Sequence, residues 1–269
     1  LIFLFVIEAE VEHETVMVAC GGWGKRRTLF GGDATAGRDD SLSDPATDPA
    51  RIRAMYTHPD WIRKGLGTLL LTLGENAARE AGLWCLQLKT ETGGGGLNKA
   101  GMAVVYEEMN RSIFGPVVFN SAAPDDGNMM VLEALGTKTQ KERWLQPIVR
   151  GEVRSSFAMT EPDTASSDAA NIQTRIERDS DHYVINGRKW WITNAAHPNC
   201  RLLIVMGKTD PNADAYHQQS MVLVPMNTPG VNVVRNLTVV NHHHPEGHCE
   251  IVFDNVRVPQ RNRIGEEGM

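Results

Sequence analysis

The sequence predicts an α+β, multidomain chain: a partial α/β segment, then a short helical segment, then an all-β, barrel-like domain. Three observations predict this. The first ninety residues alternate strand-like and helix-like runs in the order β–loop–β–α–β. Four glycines in succession, Gly93 to Gly96, then break the composition and mark a linker, junction or active-site loop. From Val153 onward apolar residues recur at every second position, between turns rich in Asp, Asn, Gly and Pro.

The opening run LIFLFVI (1–7) is apolar, and Glu8 and Glu10 end it. It is too short to span a bilayer and has neither a basic flank nor a cleavage site, so it reads as a buried strand. Residues 15–21 (TVMVACG) and 51–56 (RIRAMY) are strand candidates on either side of a Gly/Asp/Ser/Pro-rich loop at 31–49. Residues 66–81 show helical periodicity, with Leu69, Leu70, Leu73 and Ala77 on one face, and 83–88 (LWCLQL) is a further strand candidate. Beyond the glycines, 99–113 reads as a helix with Ala103, Val104, Met109 and Ile113 among its apolar positions. Residues 128–135 and 138–148 are two more helices; Gly136 stands where a C-cap is wanted and Thr137 can N-cap the second.

In the last part, 172–177 alternates cleanly, 178–181 is a turn, and 183–187 leads into 189–193. Residues 201–206, 220–224, 231–234 and 250–256 are the remaining strands. The alternation places Ile172, Ile176, Val184, Ile185, Leu203, Val205, Val222 and Val252 in the core.

Composition excludes some functions. With 41% hydrophobic and 22% charged residues the chain is an ordinary globular one, and its net charge of −6 points to neither a nucleic-acid partner nor a basic membrane patch. Cys20, Cys85, Cys200 and Cys249 are far apart and form no CxxC pair, which reads as reduced thiols in the cytoplasm. The stretch NHHHPEGH (241–248) sets His242, His243, His244 and His248 around Glu246. Imidazoles suit zinc or nickel. Adjacent histidines rarely all point one way, however, so the expectation is an exposed, metal-free loop.

Three motifs in order carry a family resemblance. FAMTEPDTASSD (157–168), INGRKWWITN (185–194) and FDNVRVP (253–259) resemble segments of the acyl-CoA dehydrogenase middle β domain. Upstream, APDDGN (123–128) and QKERWLQP (140–147) look like its N-terminal helices, and the subgroup related to human acyl-CoA dehydrogenases 10 and 11 is the most similar. The resemblance runs from residue 97 to 269 and implies FAD, an acyl-CoA substrate and oxidation at Cα–Cβ. It also implies an oligomer in full-length members. A flavin needs a flat apolar wall with hydrogen-bonding groups at its edge. The resemblance gives that role to Phe157, Met159 and Thr160 on one strand end and to Trp191, Ile192 and Thr193 on another. Ser166 and Ser167 fall where the family contacts pyrophosphate or the CoA thioester. Asp163 and Ala165 depart from the glycines common there. Taken singly, a strand threonine or a tryptophan is ordinary packing.

The family's proton-abstracting Glu lies on a C-terminal helical bundle, and Met269 precedes the matching segment. Glu266 and Glu267 lack the context of that base. The resemblance therefore assigns no catalytic residue, and this polypeptide alone is expected to be inactive.

The first ninety residues resemble a second family, the GCN5-related N-acetyltransferases (GNAT). RIRAMYTHPDW (51–61) followed by RKGLGTLL (63–70) is similar to that family's acetyl-CoA-binding strand, turn and helix; CGGW (20–23) and RTLFGGD (27–33) fit a bacterial subgroup. The resemblance implies acetyl-CoA held by Met55, Tyr56, Thr57, Arg63, Lys64, Gly65, Gly67 and Thr68. Glycines at a helix N-terminus let amides approach a pyrophosphate. Ile62 departs from the Arg or Gln expected there. The expected organisation is thus a GNAT-like segment over 1–90, a junction over 91–96, a dehydrogenase helical part over 97–150 and its β domain over 151–269. Beside the dehydrogenase reading stand an acetyltransferase and a non-catalytic remnant of a gene fusion.

Overall fold

A computed structural model describes residues 4–24, 51–112, 114–244 and 246–268. The chain divides into two compact units, Leu1–Ala122 and Ala123–Met269.

In the first unit, β1 (Leu4–Val11) pairs antiparallel with β2 (Glu14–Gly24), and β2 with β3 (Arg51–Thr57). Glu12 and His13 turn the hairpin with positive φ at both positions, the twist a two-residue loop requires. The opening run is a strand but not a buried one. Val6 and Val11 are exposed, and Phe5, Ile7 and Ala9 are only half-buried. The loop expected at 31–49 and the 27–33 motif lie outside the described residues.

Helix α1 (Leu66–Glu80) lies against β2 and β3, burying Leu70, Gly74, Ala77 and Ala78. Leu69, expected on that face, is 45% exposed. Residues 83–88 are not a strand. Trp84 to Leu88 are buried, yet their backbone runs through turns: Cys85 N–H donates to Phe119 O and Leu88 N–H to Cys85 O. The glycine run is tied into this turn. Gly94 N–H donates to Lys89 O, Gly95 N–H to Cys85 O and Gly96 N–H to Leu88 O, and a Cβ at Gly94 would meet Leu88 O at 2.4 Å. Glycine serves close approach at this point. Helix α2 (Lys99–Met109), capped by Asn98, buries Met102 and Met109; Ala103 and Val104, expected inside, face out, Val104 being 65% exposed. Ile113 lies outside the described residues. Helix α3 (Gly115–Val118) closes the unit.

The second unit begins with α4 (Asp125–Leu135) and a helical run: α5 (Lys138–Gln140), a π turn (Lys141–Leu145) and α6 (Gln146–Val149). Thr137 and Gln140 form the capping box, each side chain bonding the other's backbone N–H. Gly136 is the C-cap of α4 but in an extended conformation, so it is not there for a left-handed turn. Asp125 fastens α4 to the sheet. Its buried carboxylate accepts Ser155 N–H at 2.7 Å and Ser155 Oγ at 2.6 Å, with Asn194 Nδ2 at 3.4 Å.

Eight strands follow: β4 (Arg154–Ala158), β5 (Arg175–Asp179), β6 (His182–Thr193), β7 (Cys200–Lys208), β8 (Gln219–Pro225), β9 (Val231–Asn236), β10 (His248–Pro259) and β11 (Arg263–Ile264). Their order is β11-β8-β7-β5-β6-β10-β9, with β4 added parallel to β7. Among the described residues no pairing joins β11 to β9, so the ladder is open where a barrel was expected. Most of the expected core is there: Ile172, Ile176, Ile185, Leu203, Val205 and Val222 are buried, with Tyr183, Phe253 and Val256 added to the cluster. Val184 and Val252 are half-buried. All four thiols are free; Cys85, Cys200 and Cys249 are buried and Cys20 is half-buried. Among the described residues no helix is long and apolar enough to cross a membrane.

Truncating a fully buried side chain leaves a cavity, whereas a half-buried one leaves space that water fills. Ile185→Ala should therefore cost about 2–5 kcal/mol of the β unit's stability and Val252→Ala clearly less. Urea unfolding followed by amide signals from β6 and β7 tests this; equal losses would contradict the core assignment.

Candidate functional site

The two segments singled out in the β unit, 157–168 and 185–194, meet where Met159 to Glu161 face Lys189 and Trp190. Thr160 and Trp190 bond in both directions: Trp190 N–H donates to Thr160 O at 3.0 Å, and Thr160 Oγ1 donates to Trp190 O at 2.6 Å. Beneath them lies a charged pair. Lys189 is 0% exposed and Glu161 5% in their side chains, with Nζ 2.9 Å from Oε1. Nζ also donates to Met159 O at 2.7 Å, and the Glu161 carboxylate accepts Gln173 N–H at 2.6 Å and Thr174 N–H at 2.8 Å. Burial pushes the Lys189 ammonium down to about 8, against the pull of Glu161. For Glu161 burial works upward, but the bonds from Lys189 and Thr174 outweigh it and hold the carboxyl below its ordinary value. Both groups are charged at neutral pH.

Just past Lys189 the alternation of β6 breaks. Tyr183, Ile185 and Lys189 are buried on one phase, then Ile192 is buried and Trp191 is 41% exposed. Ile251 pairs with Lys189 and Cys249 with Ile192, so β6 holds one extra residue there. Trp191 has φ 55°, a left-handed backbone that a tryptophan adopts only under constraint. A bulge of this kind re-aims side chains and is common beside functional sites. Here it turns the Trp191 indole outward, 5.8 Å from the Trp190 ring. Thr193, at the end of β6, has Oγ1 3.0 Å from His248 Nδ1.

The expected flavin-wall residues separate into two groups. Trp191, Thr160, Thr193, Met159 and Phe157 are exposed or half-buried. Ile192 is a core residue, which leaves only its backbone for a ligand. Ser166 is buried and its Oγ is used locally, accepting Glu161 N–H and donating to Glu161 O; Ser167 is exposed. The histidines also divide. His242 and His243 are exposed, as expected, but His244 and His248 are half-buried; His248 stands on β10 rather than in an open loop, and it bonds to Thr193.

In the first unit the expected acetyl-CoA residues lie along one path. Met55, Tyr56 and Thr57 end β3; Arg63 and Gly65 have positive φ; Gly65 caps α1, and Gly67 and Thr68 stand in its first turn. Lys64 Nζ sits 4.0 Å over the Trp61 ring.

Comparison with known proteins agrees with the β-unit motifs. Residues 73–152 match the acyl-CoA dehydrogenase N-terminal domain, and residues 156–256 match the acyl-CoA dehydrogenase middle domain. The acyl-CoA dehydrogenase FadE2 of Mycobacterium tuberculosis is 52% identical over 192 residues, covering 71% of this chain and 46% of that protein. Acyl-CoA dehydrogenase family member 11 of Homo sapiens is 48% identical over 194 residues, 71% of this chain and 24% of its own length. A solved Mycobacterium abscessus structure described as an acyl-CoA dehydrogenase superposes with a TM-score of 0.71 at 50% identity, covering 74% of this chain and 49% of that one. The chain thus carries acyl-CoA dehydrogenase N-terminal and middle domains. It spans about half the length of the bacterial relatives it matches.

The charged pair gives a pH-dependent prediction. Because its folded value is lowered, the stability Glu161 contributes is complete above its unfolded value of 4.5 and is lost as pH falls through the folded one. Glu161→Gln strands the Lys189 ammonium and should cost about 3–5 kcal/mol at neutral pH. The gap to the parent should narrow in acid. Unfolding midpoints that fall in parallel from neutral pH to about pH 3 would show that the charge on Glu161 is not what stabilises the fold.

Proposed function

We propose that the β unit is the flavin-facing part of an acyl-CoA dehydrogenase, with Trp191, Thr160 and Thr193 as the wall against which FAD lies. The carrying observation is Trp191: a flat indole held outward by a strained bulge in β6. Phe157 and Met159 extend the apolar surface, and Ser167 stands near the phosphate or thioester end. Acyl-CoA dehydrogenases are FAD flavoproteins. Bound here, FAD would supply the hydride acceptor for oxidising an acyl-CoA thioester at Cα–Cβ. The chain's own residues hold and orient: the Lys189–Glu161 pair fixes the backbone of Met159 and Glu161, the bulge aims the indole, and the hydroxyls bond the ring edge. A general base contributes roughly 10²–10⁴-fold to such chemistry. None of the carboxylates in these 269 residues stands in the context of the family's base, so this polypeptide alone is read as a weak flavin binder without turnover.

Titration with FAD should move the Trp191 indole N–H and the Thr193 amide in a ¹H–¹⁵N spectrum, and Trp191→Ala should weaken the effect. An acyl-CoA with a dye acceptor should show no bleaching above the no-enzyme control. Unmoved Trp191 and Thr193 signals at millimolar FAD would sink the flavin reading. Dye bleaching that Thr193→Val abolishes would sink the inactivity.

A second reading, acetyl-CoA binding by the GNAT-like segment 1–90, is favoured by one observation. β3 leads through a left-handed Gly65 into α1 without a side-chain cap, which leaves first-turn amides open to an anion. A Cβ at Gly67 would have nothing within 4 Å, so a larger residue there fits the fold. Gly67→Val should leave the unit folded and abolish acetyl-CoA binding measured by calorimetry. Equal affinity in mutant and parent would make the turn merely structural.

A further inference from the structure

The bond between Thr193 and His248 joins the flavin-wall hydroxyl to a group that titrates. Thr193 and His248 are register partners across β6 and β10, with Oγ1 and Nδ1 3.0 Å apart. The histidine is fixed from its other side as well. Its backbone N–H donates to Asn236 Oδ1 at 2.8 Å, its backbone carbonyl accepts Leu237 N–H at 2.9 Å, and Asn236 Nδ2 donates to His244 O at 3.2 Å. Two titratable groups lie near the ring, both in the loop before β10, His244 beside it and Glu246 beside His244. His244 lies 5.4 Å away between ring centroids, and Glu246 is 3.7 Å from His244 Nδ1. From β6 and β9 the groups that meet it are Thr193 and Asn236, neither of them charged.

Resting on the flavin reading above, we infer that His248 is a positioning residue of that site, deciding whether the Thr193 hydroxyl faces the cofactor as acceptor or as donor. Neutral imidazole has one N–H and one bare nitrogen. When Nδ1 is bare, it takes the Thr193 hydroxyl proton, and only lone pairs are left for the ligand. When the ring is protonated, Nδ1 donates to Oγ1, and the hydroxyl proton is free to point at an acceptor on the flavin edge. One proton on His248 therefore reverses the polarity of the hydroxyl that meets the ring. Burial, with a smaller push from His244 and against Glu246, holds the imidazole below its ordinary value, so the acceptor state prevails at neutral pH and the donor state appears in acid.

The test has two arms on the full 269-residue chain. In the first, long-range ¹H–¹⁵N spectra of the imidazoles are followed with pH. His248 should carry its proton on Nε2 at neutral pH, and Thr193→Val, by removing the donor that favours the neutral ring, should raise its titration midpoint. An Nδ1–H tautomer with a midpoint unmoved by Thr193→Val overturns the proposal.

The second arm uses riboflavin, which brings the ring without phosphates that the other histidines would attract in acid. Binding read at Trp191 should be tighter at about pH 5 than at about pH 8 by roughly 2- to 10-fold, the worth of one hydrogen bond. His248→Gln, which can still hydrogen-bond but does not titrate, should bind with no such dependence. Equal pH dependence in parent and His248→Gln overturns the role of His248 alone. No riboflavin response at Trp191 in the parent overturns the flavin reading together with it.

Discussion

Two opposite charges buried side by side, Lys189 and Glu161, set the terms on which the β unit can close. A charge removed from water is tolerated only when it is paired and hydrogen-bonded. Here the groups come from three pieces of chain. The ammonium meets the Met159 carbonyl and the Glu161 carboxylate, and that carboxylate receives the amides of Gln173 and Thr174 just before β5. The exit from β4, the entry to β5 and the middle of β6 are therefore fixed by one cluster. Ser166 completes it by tying its hydroxyl to both backbone groups of Glu161, which is a structural use of a side chain that the family resemblance placed at a phosphate.

With that cluster in place, the next two residues can be held in a conformation they would not otherwise keep. Trp190 is bonded to Thr160 in both directions, and Ile192 is anchored in the core opposite Cys249. Between two fixed neighbours Trp191 is forced outward with a left-handed backbone. Strain of this kind persists only where the surroundings over-determine it. Asp125 does the corresponding work further along, joining α4 to β4 through Ser155 and to the residue after β6 through Asn194. Trp190, the strands beneath it and the α4 flank are thus tied together by hydrogen bonds.

Much of this was legible in the sequence, for physical reasons that also mark the limits. Period-two alternation marked strands such as β6, where alternate residues are buried, although β7 and β8 are buried on both faces. Thr137 was readable as an N-cap from its residue type, while its reciprocal partner Gln140 emerged only in the structure. Residues 83–88 misled because an apolar run says only that side chains are inside; turns with internal bonds bury them as well as a strand does. Leu69 and Val104 show that apolar composition does not fix the phase of a helix when the surface it faces is unknown. Lys189 carried a readable signal, being a charged residue on the same phase as Tyr183 and Ile185, but it demanded a partner that only the fold supplies. His248 was hidden by its neighbours. Three adjacent histidines suggested a loop, and the first residue of β10 was read as part of it.

The distribution of the thiols has a consequence for the chain's behaviour under oxidation. In the β unit Cys200 and Cys249 are buried, and burial lifts the Cys249 thiol to about 11 and raises Cys200, so neither offers the thiolate that peroxides and disulfides attack. Cys85 is shielded in its turn. Cys20, half-buried on β2, is thus the thiol most open to solvent, and thiol oxidation would be recorded in the hairpin sheet rather than in the β unit.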